Sequence, residues 1–170
     1  MLKMKIIDNF LDPINFKNVR DTMTGRLFPW YYAPCANSGK DNFSHLTYTF
    51  FTNEYTNPAT GNMDLLKPIL GKLNYTALIR VRANLTYPSI NKKDFYHIDY
   101  DYKNTTTALY YLDNNGGTKF KVGSKIKHIK SKANRIVIFP SHIKHSVVRH
   151  SNNDQGRFII NFNYYTDDDC

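Results

Sequence analysis

The sequence predicts a mainly β fold with N-terminal helices: an α+β arrangement in which a jelly roll, or cupin-like double-stranded β-helix barrel, is backed by two or three helices. Three observations lead there. Aromatic residues make up 15% of the 170-residue chain, with Tyr-Tyr pairs at 31–32, 110–111 and 164–165, and such side chains suit the pleated surface of strands. From residue 75 onward, short apolar or alternating segments recur between Gly, Asn and Pro punctuation, the pattern of successive strands. Both segments with helical signals come earlier. A chain of this length forms one domain of ordinary size, read as a helical support region (1–74), a jelly-roll core (75–165) and an acidic tail (166–170).

Element by element, residues 4–11 alternate as a short strand. Asp12-Pro13 then supplies an N-cap and a proline at the first helical position, opening a helix through about Met23 that stops near Gly25. Residues 26–47, with Pro, Gly, Asn and Ser, read as a long loop and hence a candidate active-site lid. Leu65, Leu66, Ile69, Leu70 and Leu73 recur at helical spacing and predict a second helix over 62–73. Strands follow at 75–86, 105–113, 117–122, 125–130, 134–139, 145–149 and 156–165. Asn114-Asn115-Gly116-Gly117 reads as a tight hairpin turn, and Asn152–Gly156 as an enlarged loop.

The formal charge is +9, and it is concentrated. Residues 114 to 153 hold nine Lys or Arg and no Asp or Glu. This basic stretch either meets a polyanion such as nucleic acid or protects an exposed sheet edge from pairing with another chain. No apolar run approaches a spanning helix, so no membrane partner is expected. Asp8 stands where a leader needs its apolar centre, and Cys35 and Cys170 read as free thiols, which makes a cytoplasmic, reducing location the default. Nineteen Asn against one Glu fit an AT-rich viral or microbial genome.

His97 and Asp99 are two residues apart, so in a strand both side chains point to one face and can grip one ion. Downstream, His145 follows the 134–139 strand and the Pro140-Ser141 turn. A hairpin return there would complete two histidines and a carboxylate, a set that leaves metal positions open for cosubstrate and oxygen. Asp101 shares the parity of Asp99, and His142 precedes His145 by three, as rival ligands; His45, His128 and His150 read as solvent-facing. On the strand from Arg157, residues 157, 159, 161 and 163 share one face, while Phe158, Ile160, Phe162 and Tyr164 share the other and read as the layer against the helices. An arginine turned into the fold calls for a bound anion, with a carboxylate taken bidentately the usual answer.

Together these motifs resemble the Fe(II)- and 2-oxoglutarate-dependent dioxygenases, most closely their prolyl 4-hydroxylase-like branch, over about residues 75–165. Tyr87-Pro88, His97-Ile98-Asp99, Thr107–Leu112, Gly116–Phe120, Asn134–Pro140, His145-Ser-Val147 and Arg157-Phe-Ile-Ile carry the likeness. The resemblance implies that His97, Asp99 and His145 bind Fe(II) and that Arg157 takes the distal carboxylate of 2-oxoglutarate. It implies Tyr87 and Tyr111 as hydrogen-bonding partners of that cosubstrate, with Asn161 and Asn163 as candidate contacts to cosubstrate or substrate. O2 is the implied oxidant and ascorbate a candidate reductant.

The implied activity is hydroxylation of a C–H bond, coupled to decarboxylation of 2-oxoglutarate to succinate and CO2, on a peptide or protein substrate with prolyl residues favoured. A nucleic-acid target using the basic 119–135 stretch is the alternative, although nucleic-acid dealkylases of this superfamily carry a second arginine six residues past the first, where this chain has Asn163. A third reading is a non-catalytic jelly-roll binding protein.

Overall fold

A computed structural model describes residues 4–35, 44–53, 62–88, 94–150 and 156–167. Two antiparallel sheets face each other without closing into a barrel. The larger has seven strands in the order β1-β8-β5-β10-β4-β3-β2 and the smaller has three, β7-β6-β9. The strands are β1 Lys5–Ile7, β2 Tyr31–Ala33, β3 His45–Thr52, β4 Ala77–Thr86, β5 Thr105–Tyr111, β6 Gly117–Val122, β7 Lys125–Lys130, β8 Arg135–Pro140, β9 His145–Val148 and β10 Arg157–Tyr165. None of the described helices is long and apolar enough to cross a membrane.

Helix α1, Pro13–Thr24, lies where the capping signals predict it. The Asp12 carboxylate accepts from the backbone N–H groups of Ile14 and Asn15 at 3.1 and 3.0 Å, satisfying two donors that a helix start leaves without partners. Its buried residues Val19 and Met23 pack on one face of the large sheet, together with Leu66, Ile69 and Leu70. From the sheet they meet Val81, Ala83, Tyr110, Ile160 and Phe162, so the even-numbered β10 residues do form the layer against the helices. A second apolar cluster, Leu109, Tyr111, Phe120, Val137, Phe139 and Ile159 among them, fills the space between the sheets. Each such fully buried side chain contributes roughly 1.5–3 kcal/mol relative to exposure. Asn134, at φ 62°, cross-links the two ends of this arrangement: its Oδ1 accepts from Leu11 N–H and the Tyr110 hydroxyl, and its Nδ2 donates to the Leu11 carbonyl.

Several expectations need correction. The helix read over 62–73 is a 3-10 turn, Met63–Leu66, followed by a four-residue α2, Lys67–Leu70; Pro68 lacks the N–H that would continue the earlier turn into one helix. The 26–47 loop contains β2 and the start of β3, because the alternating Leu46-Thr-Tyr-Thr-Phe-Phe51 segment pairs with β4. The lid expected there falls partly on 36–43, outside the described residues, as do 151–155 of the enlarged loop and the tail from 168. β1 is only three residues long, since Asn9 turns into the left-handed region at φ 51°. Asn114–Gly117 is no hairpin turn: β5 and β6 lie in different sheets, and the segment carries the chain across between them. The tight turn is Gly123-Ser124 between β6 and β7, with Gly123 at φ 60°. Among the described residues β7 is an outer strand of the small sheet, and it carries exposed Lys125, Lys127 and Lys130.

Candidate functional site

The site lies between the sheets, in a cavity of about 720 Å³. His145 opens β9, which the 141–144 crossing carries into the small sheet rather than back along β8. There His97 and His145 exchange both backbone hydrogen bonds, at 3.0 and 2.8 Å. Asp99 N–H donates to the Ser141 carbonyl at 3.1 Å. Backbone pairing therefore sets all three side chains side by side, and one ligand-type atom from each lies within 4.8 Å of the others. Asp101 is exposed and His142 is exposed, so neither rival joins the group.

The orientation of each group is defined. His145 is buried, with its Nδ1 3.0 Å from the Ile143 carbonyl; donation there fixes the tautomer that leaves Nε2 as a metal ligand. That Nε2 sits 3.8 Å from Asp99 Oδ2, and His97 Nε2 sits 3.8 Å from Asp99 Oδ1. Oδ2 accepts from Thr107 Oγ1 at 2.9 Å, Asn163 Nδ2 at 3.0 Å and Asn161 Nδ2 at 3.3 Å. Burial pushes the Asp99 carboxyl up, but His145, His97, Arg80 and the Thr107 hydrogen bond outweigh it and hold the group down at about 2. It is therefore a carboxylate at neutral pH. Two imidazoles and a carboxylate converging on one point suit Fe(II).

Arg157 is 1% exposed. Its Nη2 donates to Thr118 Oγ1 at 3.2 Å and its Nε to Ser131 Oγ at 3.4 Å, while Nη1 has no hydrogen-bond partner among the described residues. The guanidinium lies 5.5 Å from the Tyr111 ring centroid, and the Tyr111 hydroxyl shares a 2.7 Å hydrogen bond with Thr118. Burial lowers the Arg157 pKa and raises that of Tyr111. A buried guanidinium with a vacant donor is costly unless an anion meets it, which fits the carboxylate of a dicarboxylic cosubstrate.

The other expected residues are placed differently. Tyr87 is 54% exposed and does not line the cavity. It lies just past the end of β4 with the parity of Val81 and Ala83, which face the helices. Asn163 is fully buried and held on Asp99 and Thr107, so it is out of reach of a substrate; Asn161 also holds Asp99 but lines the cavity. His45, read as solvent-facing, is buried and lines the cavity, because β3 begins there with the parity of the inward Thr47. His150 is half-buried with both ring nitrogens shielded from solvent, and His128 is exposed. Thr107 and Thr118 were missed, as were Arg80 and Arg82; the polar-apolar alternation of Arg80–Thr86 was the available signal, but it cannot tell a cavity from solvent.

Residues 85–165 match the family model of the 2OG-Fe(II) oxygenase superfamily. No curated protein sequence matches the chain. Among solved structures, a prolyl hydroxylase from Trichoplax adhaerens, in complex with a peptide fragment of the hypoxia inducible factor oxygen degradation domain, superposes with TM-score 0.71 at 18% identity, covering 95% of this chain and 83% of that one. A Pseudomonas putida prolyl-4-hydroxylase gives TM-score 0.60 at 13% identity over 98% and 94%. The non-heme alpha ketoglutarate dependent epimerase SnoN from nogalamycin biosynthesis gives 0.63 at 12% over 96% and 76%. The resemblance read from the motifs is thus met by a family match and by a shared jelly-roll fold, and the family implies Fe(II) and 2-oxoglutarate. The fold is common to a peptide hydroxylase and an epimerase, so it does not select the reaction.

Proposed function

We propose, taking the match of residues 85–165 to the 2OG-Fe(II) oxygenase superfamily as premise, that this chain is an Fe(II)- and 2-oxoglutarate-dependent dioxygenase that hydroxylates a peptidyl residue, prolyl by preference. The observation that carries the reading is the conjunction, in one cavity, of the His97-Asp99-His145 cluster and a buried Arg157 with a vacant donor.

In this reading His97, Asp99 and His145 hold the iron. Bound Fe(II), with 2-oxoglutarate and O2, supplies the oxidising chemistry. Thr107, Asn161 and Asn163 occupy Asp99 Oδ2 and so turn Oδ1 toward the metal position, while the Ile143 carbonyl orients His145. Arg157, steadied by Thr118 and Ser131, takes the distal carboxylate of 2-oxoglutarate through Nη1. Phe120, Phe139, Val137 and Ile159 keep water from the inner end of the cavity. Ascorbate serves as reductant, and a peptide substrate enters from the open side, as the peptide complex of the Trichoplax relative suggests.

The nucleic-acid alternative gains no support from this arrangement. None of Lys121, Lys125, Lys127, Lys130 and Lys132 lines the cavity. The test is anaerobic titration with Fe(II) and then 2-oxoglutarate, followed through the weak visible band of 2-oxoglutarate on Fe(II), with His145→Ala and Arg157→Ala as controls. A band that needs both residues supports the enzyme; its absence at saturating ligand leaves the non-catalytic binding protein. Mass gain of one oxygen atom on a proline-containing peptide then tests the substrate class.

A further inference from the structure

Arg157 is the first residue of β10, and the ladder that fixes the rest of that strand against β5 does not reach it: on that side the register begins at Ile159 opposite Tyr111. Beyond that pair the chain leaves β5 for the small sheet through Leu112-Asp113-Asn114-Asn115-Gly116. This crossing takes over from the ladder. Leu112 N–H donates to the Phe158 carbonyl at 3.1 Å. The Asp113 carboxylate accepts the N–H of Phe158 on Oδ2 and that of Asn115, at 2.7 Å, on Oδ1. Asn115 in turn donates from Nδ2 to the Gly156 carbonyl at 2.9 Å. Both peptide units that flank Arg157 are thus held, one by the Asp113 carboxylate and the other by the amide of Asn115.

The same crossing fixes the far end of the arginine. The Gly116 carbonyl accepts from Ser131 N–H at 3.0 Å and Asn114 Oδ1 from Ala133 N–H at 2.9 Å, which ties down the turn that brings Ser131 Oγ to Arg157 Nε. Thr118, just past the crossing, accepts from Nη2. Neither Asp113 nor Asn115 lines the cavity, so their work is done through Arg157 and not on a ligand. Arginine has many rotatable bonds to immobilise, and its fork stays aimed at a carboxylate only if root and head are both held. The charge of Asp113 also favours the cationic form of Arg157, which burial disfavours.

We infer that Asp113 and Asn115 are positioning residues for the cosubstrate: they set the root of Arg157 so that Nη1 meets a distal carboxylate, and so give the site its preference for a dicarboxylic over a monocarboxylic 2-oxoacid. The inference rests on the 2-oxoglutarate reading of the cavity and adds to it two residues that the bound cosubstrate does not touch. An amide at position 113 keeps the size but turns one accepting oxygen into a donor that opposes an N–H. Removing the Asn115 side chain instead leaves the charge of Asp113 in place and frees only the Gly156 carbonyl. Either change lets the guanidinium drift, and interactions that depend on alignment weaken steeply over displacements of about 1 Å.

The test is anaerobic titration of the Fe(II)-loaded full chain with 2-oxoglutarate and, separately, with 2-oxobutyrate, which has the same chelating 2-oxoacid head and no distal carboxylate. The visible band reports both dissociation constants. Asp113→Asn is expected to weaken 2-oxoglutarate binding about tenfold and Asn115→Ala about fivefold, with 2-oxobutyrate binding as in the wild type for both. In the Arg157→Gln background, Asn115→Ala is expected to change neither constant, because Asn115 acts only through Arg157. A wild-type preference for 2-oxoglutarate that survives both substitutions, or equal losses for the two acids, overturns the positioning role and leaves the cosubstrate reading intact. No band with either acid in the wild type, or no preference between them, overturns that reading and the inference with it. Should Asp113→Asn fail to fold, Asn115→Ala and its double variant decide the matter.

Discussion

The side-chain amide of Asn163 donates to Asp99 Oδ2 at 3.0 Å across 64 positions of sequence, and the same nitrogen reaches Thr107 Oγ1 at 3.0 Å. Because Asn163 is fully buried, this contact acts on the carboxylate and on nothing that enters the cavity. Replacing it with Leu should weaken metal binding by about 10–100-fold, the usual cost of removing a partner of a metal ligand. Titration with Mn(II) measures this, and an unchanged Kd would mean that Thr107 and Asn161 suffice to orient Asp99.

Arg157→Gln should separate the two halves of the site. Loss of one member of a buried charge pair costs about 2 kcal/mol or more, so 2-oxoglutarate affinity should fall by about 30-fold or more. Metal affinity should stay as in the wild type, since Arg157 touches none of the three ligands. Calorimetric titration with each ligand gives both numbers, and parallel losses would point to a general collapse of the cavity.

Asp8 offers a pH-dependent test remote from the metal. Hydrogen bonds from Arg135 and Lys132 hold its carboxyl well below the usual value of 3.8. A depressed carboxylate contributes stability that is present above its unfolded pKa and is lost as pH falls through the folded one. Asp8→Asn should therefore lower stability at pH 7, with the gap to wild type narrowing as pH drops below 3.8. Urea melts of the metal-free proteins at several pH values test it; a gap that does not change with pH would rule out the ion pair as its source.

Gly116 is required by geometry rather than by packing volume. Its φ is 68°, and a Cβ there would lie 2.2 Å from the Val148 carbonyl and 3.3 Å from Arg157 Cδ. Gly116→Ala should cost about 1–3 kcal/mol for the backbone alone, which corresponds to a Tm lowered by at least about 2 °C. Weaker 2-oxoglutarate binding should accompany it, because the displaced Val148 segment borders the Arg157 pocket. A calorimetric scan with no change in Tm would contradict this.

Much of the fold was legible because the signals are local. Asp12-Pro13 and Gly25 bracket α1, and alternation with turn residues gives β6 and β7 their observed ends. The His97-Asp99-His145 cluster was legible from residue type and spacing, although His97 and Asp99 lie in no strand and His97 meets His145 through an isolated bridge; Arg157 was legible from its place opposite the apolar face of β10. What sequence could not supply was partnership between strands. Whether Asn163 meets cosubstrate or Asp99 depends on how β10 lies beside β5, and whether Arg80 meets water or a cavity depends on how far the small sheet extends. Tyr87 falls outside the cavity lining because its parity follows Ala83 and Leu85, a relation visible only once β4 is known to pack Val81 and Ala83 on the helices.

That division of β4 has a consequence for how such a protein can change. Val81 and Ala83 are committed to the core beneath the helices, while Arg80, Arg82, Asn84 and Thr86 line the cavity. Substitutions at the even positions alter the cavity lining while the odd positions preserve folding. The cavity lining can thus diverge at little risk to the scaffold, and the His97-Asp99-His145 cluster, held by the 94–100 segment and β9, need not change with it.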